Sequence, residues 1–264
     1  MKVKNERVRQ GAVGHVRLVE HLGRPVVEKR MSDPARHDTE VLALGALGCT
    51  ELPVPELIQV DRGSILMTLM PGQRLDSLTP DARLTGLEAS ATLLHRLHDL
   101  QPPPGLPPGP DDESIVRRYS DAPGPPLPLR VPRTERLTFC HGDWTDANLL
   151  AIDGKITAIV DWERAHLGDP IRELSRAAWA ASRKDPRSFD RLVERYGADP
   201  MKVREWLPIH AAELWLWFAE AGPPAYLEQL TAELESYSSL HDEPGVSAAT
   251  SVGSSRLCSL SGGA

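Results

Sequence analysis

The sequence predicts an α+β fold with two lobes, a small antiparallel β-sheet lobe that carries one helix and a larger, mainly helical lobe. A chain of 264 residues is long for a single hydrophobic core. Short apolar segments separated by glycine turns fill residues 1–72, whereas helical spacing of apolar residues dominates later in the chain. The predicted boundaries are 1–72 for the first lobe, 73–240 for the second, and 241–264 for a disordered tail rich in Ser, Gly and Ala.

Strands of the first lobe are predicted where apolar residues are frequent and glycine or proline marks the ends. One helix interrupts these strands. Asp33-Pro34 predicts its start, because aspartate is a favoured N-cap residue and proline is tolerated at the first helical position. Gly48 predicts its end. The strand segments are 8–19 with a glycine turn at 11–14, then 24–29, 57–60 and 64–70.

Helices of the second lobe are predicted from apolar residues that recur every three to four positions. The clearest of them is 80–100. The proline-rich stretch 101–132 predicts an irregular crossing segment, because proline lacks the amide hydrogen that a helix needs, with a short helix near 113–119. The remaining predicted helices are 170–183, 187–196, 200–221 and 224–240.

Composition and charge restrict the classes of function. No apolar run reaches the roughly 18 residues that a membrane helix needs, and the start of the chain has no signal-peptide pattern, so we expect a cytoplasmic protein without a membrane partner. Three scattered cysteines argue against a disulfide framework or a zinc site. The net charge of −7 disfavours nucleic acid as a partner and is compatible with a cationic substrate.

Two polar segments in the second lobe predict a site for phosphoryl transfer. His141-Gly142-Asp143 is followed by Asn148, and a hairpin then leads to Asp161 at the end of an apolar strand. Asp143 can accept a proton from a hydroxyl group, while Asn148 and Asp161 offer the hard oxygen ligands that Mg²⁺ prefers. The spacing from Asp143 to Asn148 is that of a kinase catalytic loop. The alternative to a catalytic site is a purely structural arrangement of two strands, a turn and a buried aspartate.

At these motifs the chain resembles the aminoglycoside phosphotransferase family, the small-molecule branch of the protein-kinase-like fold. The resemblance extends from about residue 7 to 235, with its strong motifs confined to 141–174. It implies transfer of the γ-phosphate of ATP or GTP, with Mg²⁺, to a hydroxyl group of a small molecule. The motifs are His-Gly-Asp-x-x-x-x-Asn at 141–148, Asp-Trp-Glu at 161–163, and Gly-Asp-Pro at 168–170 with Glu173-Leu174.

Two regions of the first lobe are candidates for contact with the nucleotide. Gly11 and Gly14 are candidates for a phosphate cover, because glycine lets the backbone approach phosphates closely, although a bare hairpin turn would have the same pattern. The resemblance further implies that the strand before Pro71-Gly72 leads to the second lobe. Met67 would then border the adenine pocket, and the backbone of Thr68 and Met70 would bind the purine edge.

A lysine in the first lobe is the candidate for binding the α- and β-phosphates. Lys29 ends an apolar strand, where an ammonium group is costly unless it is paired. Arg30 is the competing candidate. Glu40 is the candidate partner of Lys29, because it lies between leucines on the helical wheel, and Asp38 is the alternative.

Five residues are candidates for contact with the acceptor substrate. Asp146 and Glu163 are carboxylates close in sequence to the predicted catalytic residues, and each could equally have a structural role. Glu213, Trp217 and Glu220 have helical spacing and could present an acidic, aromatic wall to a cation. For Trp217, packing in the hydrophobic core is the alternative to substrate contact.

Three functions are compatible with these motifs. The first is an antibiotic kinase that confers resistance, which the acidic charge balance favours slightly. The second is a metabolic kinase that acts on an amino alcohol, a sugar or a sugar-amine adduct. The third is a pseudokinase without turnover, against which the complete set of Lys29, Asp143, Asn148 and Asp161 argues. A protein kinase is disfavoured, because the chain lacks the Asp-Phe-Gly and Ala-Pro-Glu segments. The sequence contains no signal for the oligomeric state or the choice of purine.

Overall fold

The computed structural model describes residues 14–222 and 224–241 and has the predicted α+β architecture. Its first lobe contains a four-stranded antiparallel sheet with the strand order β1-β2-β4-β3 and one helix, α1. Gly11 and the first predicted strand lie outside the described residues, while Gly14 begins β1 opposite Met31. The elements are β1 (Gly14–His21), β2 (Arg24–Met31), α1 (Pro34–Leu47), β3 (Leu57–Asp61) and β4 (Ser64–Thr68).

Helix α1 begins and ends where the sequence predicts. The side chain of Asp33 accepts hydrogen bonds from the backbone N–H groups of Ala35 at 2.9 Å and Arg36 at 3.5 Å. The N–H of Gly48 donates to the carbonyl oxygen of Leu44 at the other end. Apolar residues of α1 pack toward the sheet, and Glu40 is buried on the same face of the helix. The cap and the apolar face together therefore fix the position of this carboxylate.

The second lobe is mainly helical. Its helices pack in the pairs α2 with α5, α4 with α5, α3 with α7, and α7 with α8. None of the helices in the described part of the chain is long and apolar enough to cross a lipid bilayer. The helices are α2 (Pro80–Asp99), α3 (Asp112–Ser120), α4 (Pro170–Ser182), α5 (Arg187–Tyr196), α6 (Pro200–Arg204), α7 (Leu207–Ala221) and α8 (Pro224–His241).

The predicted helix 200–221 is wrong in one respect, because the structure divides it into α6 and α7. Pro208 explains the break. In a continuous helix its ring would clash with the carbonyl group of Arg204, and the hydrogen bond to that carbonyl would be lost. The chain instead begins a new helix, in which Pro208 occupies the first turn.

Short strands between the helices position the predicted catalytic residues. The turn between β7 and β8 contains Asp153 and Gly154, both with positive φ, as a tight hairpin requires. Asn148 and Asp161 flank this hairpin, and the N–H of Val160 donates to the carbonyl oxygen of Asn148 at 2.9 Å. The two predicted metal ligands therefore lie at the same end of the hairpin. The strands are β5 (Gln73–Arg74), β6 (Thr138–Cys140), β7 (Leu149–Ile152), β8 (Lys155–Ile159) and β9 (His166–Gly168).

Candidate active site

The loop after β6 is held in one conformation by a glycine and a histidine. Gly142 has a φ of +83°, and a Cβ atom there would lie 2.1 Å from the carbonyl oxygen of Arg164, so that glycine is required. The Nδ1 atom of buried His141 accepts the N–H of Asp143 at 3.2 Å. Its Nε2 atom donates to the carbonyl oxygen of Val160 at 3.1 Å. His141 therefore links the loop to the end of β8.

Asp143 and Asn148 are in direct contact. The Nδ2 atom of Asn148 donates to the backbone oxygen and to the Oδ2 atom of Asp143, both at 2.9 Å. In the described part of the chain, no basic side chain lies within ion-pair distance of the Asp143 carboxylate. The carboxylate is thus oriented but not neutralised. The amide oxygen is the atom that Asn148 would offer to a metal ion.

A buried glutamate on α4 binds the backbone of this loop. The carboxylate of Glu173 accepts the backbone N–H groups of His141 at 3.1 Å and Gly142 at 2.5 Å. It also contacts the Nε2 atom of His98 at 2.9 Å, and the Nδ1 atom of His98 lies 2.7 Å from the hydroxyl group of Tyr196. Burial acts to raise the pKa of Glu173, but hydrogen bonding and the charge of His98 outweigh burial and lower it to about 2. Glu173 is therefore an ionised group within the core.

The role of Glu173 was not predicted from the sequence, where the residue belongs to the Glu173-Leu174 part of the family motif. The available signal was its position on α4, one turn after the Asp169-Pro170 start of the helix. His98 lies 75 residues earlier in the sequence, so that no local pattern connects the two.

A buried ion cluster lies where Lys29 of β2 meets Asp161 and Glu163, which follow β8. The Nζ atom of Lys29 is 2.6 Å from Glu40 Oε2 and 3.1 Å from Glu163 Oε2, and it also pairs with Asp161. Burial acts to lower the pKa of Lys29, but the charges of Glu40 and Asp161 outweigh it and raise the pKa above its ordinary value. Lys29 therefore stays charged across the physiological range.

The structure distinguishes Lys29 from Arg30 and Glu40 from Asp38, the competing candidates for the same roles. The side chain of Arg30 is exposed and pairs with Glu28 at 3.0 Å. The side chain of Asp38 is also exposed and contacts His37. Lys29 and Glu40 are instead buried and face the space between the lobes.

Asp161 has an unusual backbone conformation for a residue with a side chain. Its φ is +70°, in the left-handed region that aspartate and asparagine tolerate better than most residues. Its side chain remains 40% exposed. The carboxylate oxygens of Glu40, Asp161 and Glu163 lie within 4.8 Å of one another. Lys29 contacts all three carboxylates, and Asp161 is the most exposed of them. The carboxylate of Asp161 and the amide oxygen of Asn148 are the hard oxygen donors that suit Mg²⁺.

Comparison with known proteins identifies the family of this chain. Residues 18–206 match the model of the phosphotransferase enzyme family, APH. The chain belongs to this family. The phosphotransferase also matches the mouse protein acyl-CoA dehydrogenase family member 10, at 39% identity over 56 residues. That match covers 20% of this chain and about 5% of the mouse protein.

Solved structures confirm the kinase-like phosphotransferase fold. One is a choline/ethanolamine kinase family protein from Mesorhizobium loti, with a TM-score of 0.66 and 16% identity over 92% of this chain and 89% of that chain. Another is a thermostable mutant of aminoglycoside phosphotransferase APH(4)-Ia in a ternary complex with AMP-PNP and hygromycin B. Its TM-score is 0.63, with 16% identity over 89% of this chain and 93% of that chain.

The candidate purine contacts of the phosphotransferase lie along and after β4. Met67 is buried in the sheet. The N–H of Thr68 already donates to the carbonyl oxygen of Glu56 at 3.0 Å, so that this amide is engaged within the lobe. Met70 is half-buried beyond the strand, with its sulfur 3.7 Å from Thr68 Oγ1. Among these backbone groups, the amide of Met70 is therefore a better candidate donor to a purine than that of Thr68.

The four acidic candidates for substrate contact all have basic partners within the phosphotransferase. Each carboxylate is thereby neutralised at least in part. Trp217, the aromatic candidate, is 57% exposed on α7 and is therefore not a core residue. The pairs are Asp146 with Arg83 at 2.7 Å and Lys184 at 3.0 Å, Glu163 with Lys29 at 3.1 Å and Arg36 at 2.9 Å, Glu213 with Arg172 at 3.4 Å and Arg176 at 3.5 Å, and Glu220 with Arg118 at 2.6 Å.

Proposed function

We propose that this phosphotransferase transfers the γ-phosphoryl group of ATP or GTP to a hydroxyl group of a small molecule. The observation that supports the proposal is the connection between an oriented, unpaired carboxylate at Asp143 and the Lys29–Asp161 ion pair. Asn148 and Val160 link the two groups through backbone and side-chain hydrogen bonds. A binding module would not need the carboxylate.

Each group has a defined task in this reaction. The substrate oxygen attacks the γ-phosphorus, the bond to the β-phosphate oxygen breaks, and the proton of the hydroxyl group moves to Asp143. Lys29, oriented by Glu40, holds the α- and β-phosphates. Asn148 and Asp161 would hold Mg²⁺, which neutralises charge on the phosphate oxygens when it is bound. Catalysis then depends on placement and electrostatics, without a covalent enzyme intermediate.

The acceptor belongs to one of two classes, an antibiotic or a metabolite. The complex of APH(4)-Ia with hygromycin B supports an antibiotic, while the choline/ethanolamine kinase family protein supports a metabolite. A cationic antibiotic was favoured by the acidic composition of the chain. Because the four acidic candidates are already paired with arginine or lysine, that argument loses weight. The charge of the chain therefore does not separate the two classes, and turnover across a panel of acceptors decides between them.

The release of nucleoside diphosphate tests this function. The protein would be incubated with Mg²⁺ and ATP or GTP across aminoglycosides, macrolides, amino alcohols, sugars and hydroxy acids, with Asp143→Asn as the blank. Turnover above the blank would support the proposal and identify the acceptor class. A protein that binds no nucleotide in the presence of Mg²⁺ would instead fit the pseudokinase alternative.

Replacement of Asp161 by Asn is expected to remove the effect of Mg²⁺ on nucleotide binding. Asparagine keeps the shape of the side chain and tolerates the positive φ, but it lacks the charge that attracts the cation. Lys29 retains Glu40 and Glu163 as partners. We expect at least about tenfold weaker binding with Mg²⁺, or about 1.4 kcal/mol, as measured by calorimetry with and without the metal.

Asp153→Asn is the matched control for this experiment. Asp153 also has a positive φ, of 49°, but it lies exposed in the turn of the β7–β8 hairpin. This variant should bind Mg²⁺ and nucleotide like the wild type. An unchanged Mg²⁺ response in Asp161→Asn would exclude Asp161 from the metal site.

A further inference from the structure

A second group of charged residues lies around α4, the helix whose Glu173 binds the catalytic loop. Arg172 and Arg176 are one turn apart on α4, Glu213 comes from α7 and Asp112 begins α3. Arg172 is well satisfied, because its Nε atom is 2.9 Å from both carboxylate oxygens of Asp112 and its Nη2 atom is 2.7 Å from one of them. Asp112 therefore serves Arg172 and is not available to a ligand.

Arg176 is much less satisfied than its neighbour. Within residues 14–222 and 224–241, its one ion pair joins Nη1 to Glu213 Oε2 at 3.5 Å, and Glu213 is shared with Arg172. Its guanidinium group also lies over the Trp179 ring, 5.6 Å from the ring centroid. A guanidinium group has five N–H donors. The side chain is 31% exposed, so that a small molecule can reach it. Arg176 thus keeps N–H donors that Glu213 does not use.

Arg176 also lies close to the catalytic aspartate. It is three residues after Glu173 on α4, and residues at this spacing share a helix face. Glu173 holds the amides of His141 and Gly142, directly before Asp143. Arg176 and Asp143 are near enough to interact electrostatically. A ligand bound to Arg176 would therefore lie near the catalytic base.

We propose that Arg176 binds an anionic group of the acceptor, a carboxylate or a phosphate, while Asp143 engages the acceptor's hydroxyl group. This inference rests on the proposed phosphoryl transfer and specifies its acceptor as a hydroxylated anion. A planar guanidinium group binds the two oxygens of a carboxylate or phosphate through parallel hydrogen bonds. Such an anion supplies acceptors for the N–H groups of Arg176 that Glu213 does not use, whereas an ammonium group supplies none.

Anion binding can be measured without knowledge of the acceptor. Wild type, Arg176→Gln and Arg183→Gln would be saturated with Mg²⁺ and AMP-PNP, so that the nucleotide phosphate sites are occupied. Sulfate and malonate are then titrated at constant ionic strength while the melting temperature is recorded. Arg183 is the matched control, because it lies over the same Trp179 ring at 5.0 Å but pairs with Glu233.

The expected result is a saturable rise in melting temperature for wild type and Arg183→Gln. Arg176→Gln should bind the anions roughly 10- to 100-fold more weakly, the value of one charged hydrogen-bonding group. An equal response in the three proteins, or no saturable response in the wild type, would overturn the proposal. If AMP-PNP itself does not stabilise the protein, the kinase function fails, while titration without nucleotide still tests the anion site.

Turnover provides a second test of the same site. Short hydroxycarboxylates and sugar phosphates would be compared with their neutral esters and with amino alcohols. We expect anionic acceptors to be used, and Arg176→Gln to lower their kcat/KM by roughly 10- to 100-fold with partial recovery in Arg176→Lys. Turnover of a cationic or neutral acceptor that is unaffected by Arg176→Gln would contradict the proposal. If no acceptor is used, the anion titration decides.

Discussion

Replacement of Asp143 by Asn is expected to lower turnover by about 10²–10⁴-fold, the typical contribution of a general base. The amide cannot accept the proton of the acceptor's hydroxyl group. The loop should keep its conformation, because Asn148 still donates to the backbone oxygen of residue 143 at 2.9 Å and Glu173 still binds the preceding amides. The variant should therefore fold and bind Mg²⁺ and nucleotide. Nucleoside diphosphate release and calorimetry separate the two properties.

Asp153→Asn makes the same chemical change at an exposed hairpin position and should retain full turnover. Near-normal turnover in Asp143→Asn would show that Asp143 is not the base. A loss of nucleotide binding without a loss of fold would instead assign Asp143 to the nucleotide side of the site.

Much of the fold could be predicted because its signals are local. The cap at Asp33 and the turn at Asp153-Gly154 each fix an element boundary through residues that are adjacent in sequence. The break before α7 carried an equally local signal at Pro208, which the apolar periodicity across 200–221 obscured. These elements then pack against one another through the apolar faces that the spacing of apolar residues predicts.

Contacts in the candidate site were predictable only where both residues belong to one short segment of the sequence. The spacing of Asp143 and Asn148 produces the hydrogen bonds seen between them. The Lys29–Asp161 contact spans 132 residues and was not predicted, because no local pattern connects the two residues. The partners of the acidic candidates were not predictable either. Asp146 is neutralised by Arg83, which lies 63 residues earlier on α2.

Replacement of Glu173 by Gln is expected to destabilise the protein by about 1–3 kcal/mol, the usual cost of leaving a buried hydrogen-bonding group unsatisfied. Glu173 is the shared acceptor for two loop amides and for His98. The amide that replaces it presents an N–H₂ group to one of these donors and removes a buried negative charge that accepts these hydrogen bonds. Urea unfolding at pH 7 measures the loss. Glu135→Gln is the matched control, because its pair with Lys202 at 2.6 Å is exposed and should matter little.

The pH dependence of this loss identifies its electrostatic part. The pKa of Glu173 is about 2 in the folded protein, below its ordinary value of 4.5. Because the folded state binds this proton less readily than the unfolded state, the carboxylate stabilises the fold fully above pH 4.5. That stabilisation is lost as the pH falls from 4.5 toward 2. The difference in unfolding free energy between wild type and Glu173→Gln should therefore shrink across this window. A difference that stays constant from pH 7 to pH 3 would mean that packing, and not the charge of Glu173, holds the catalytic loop.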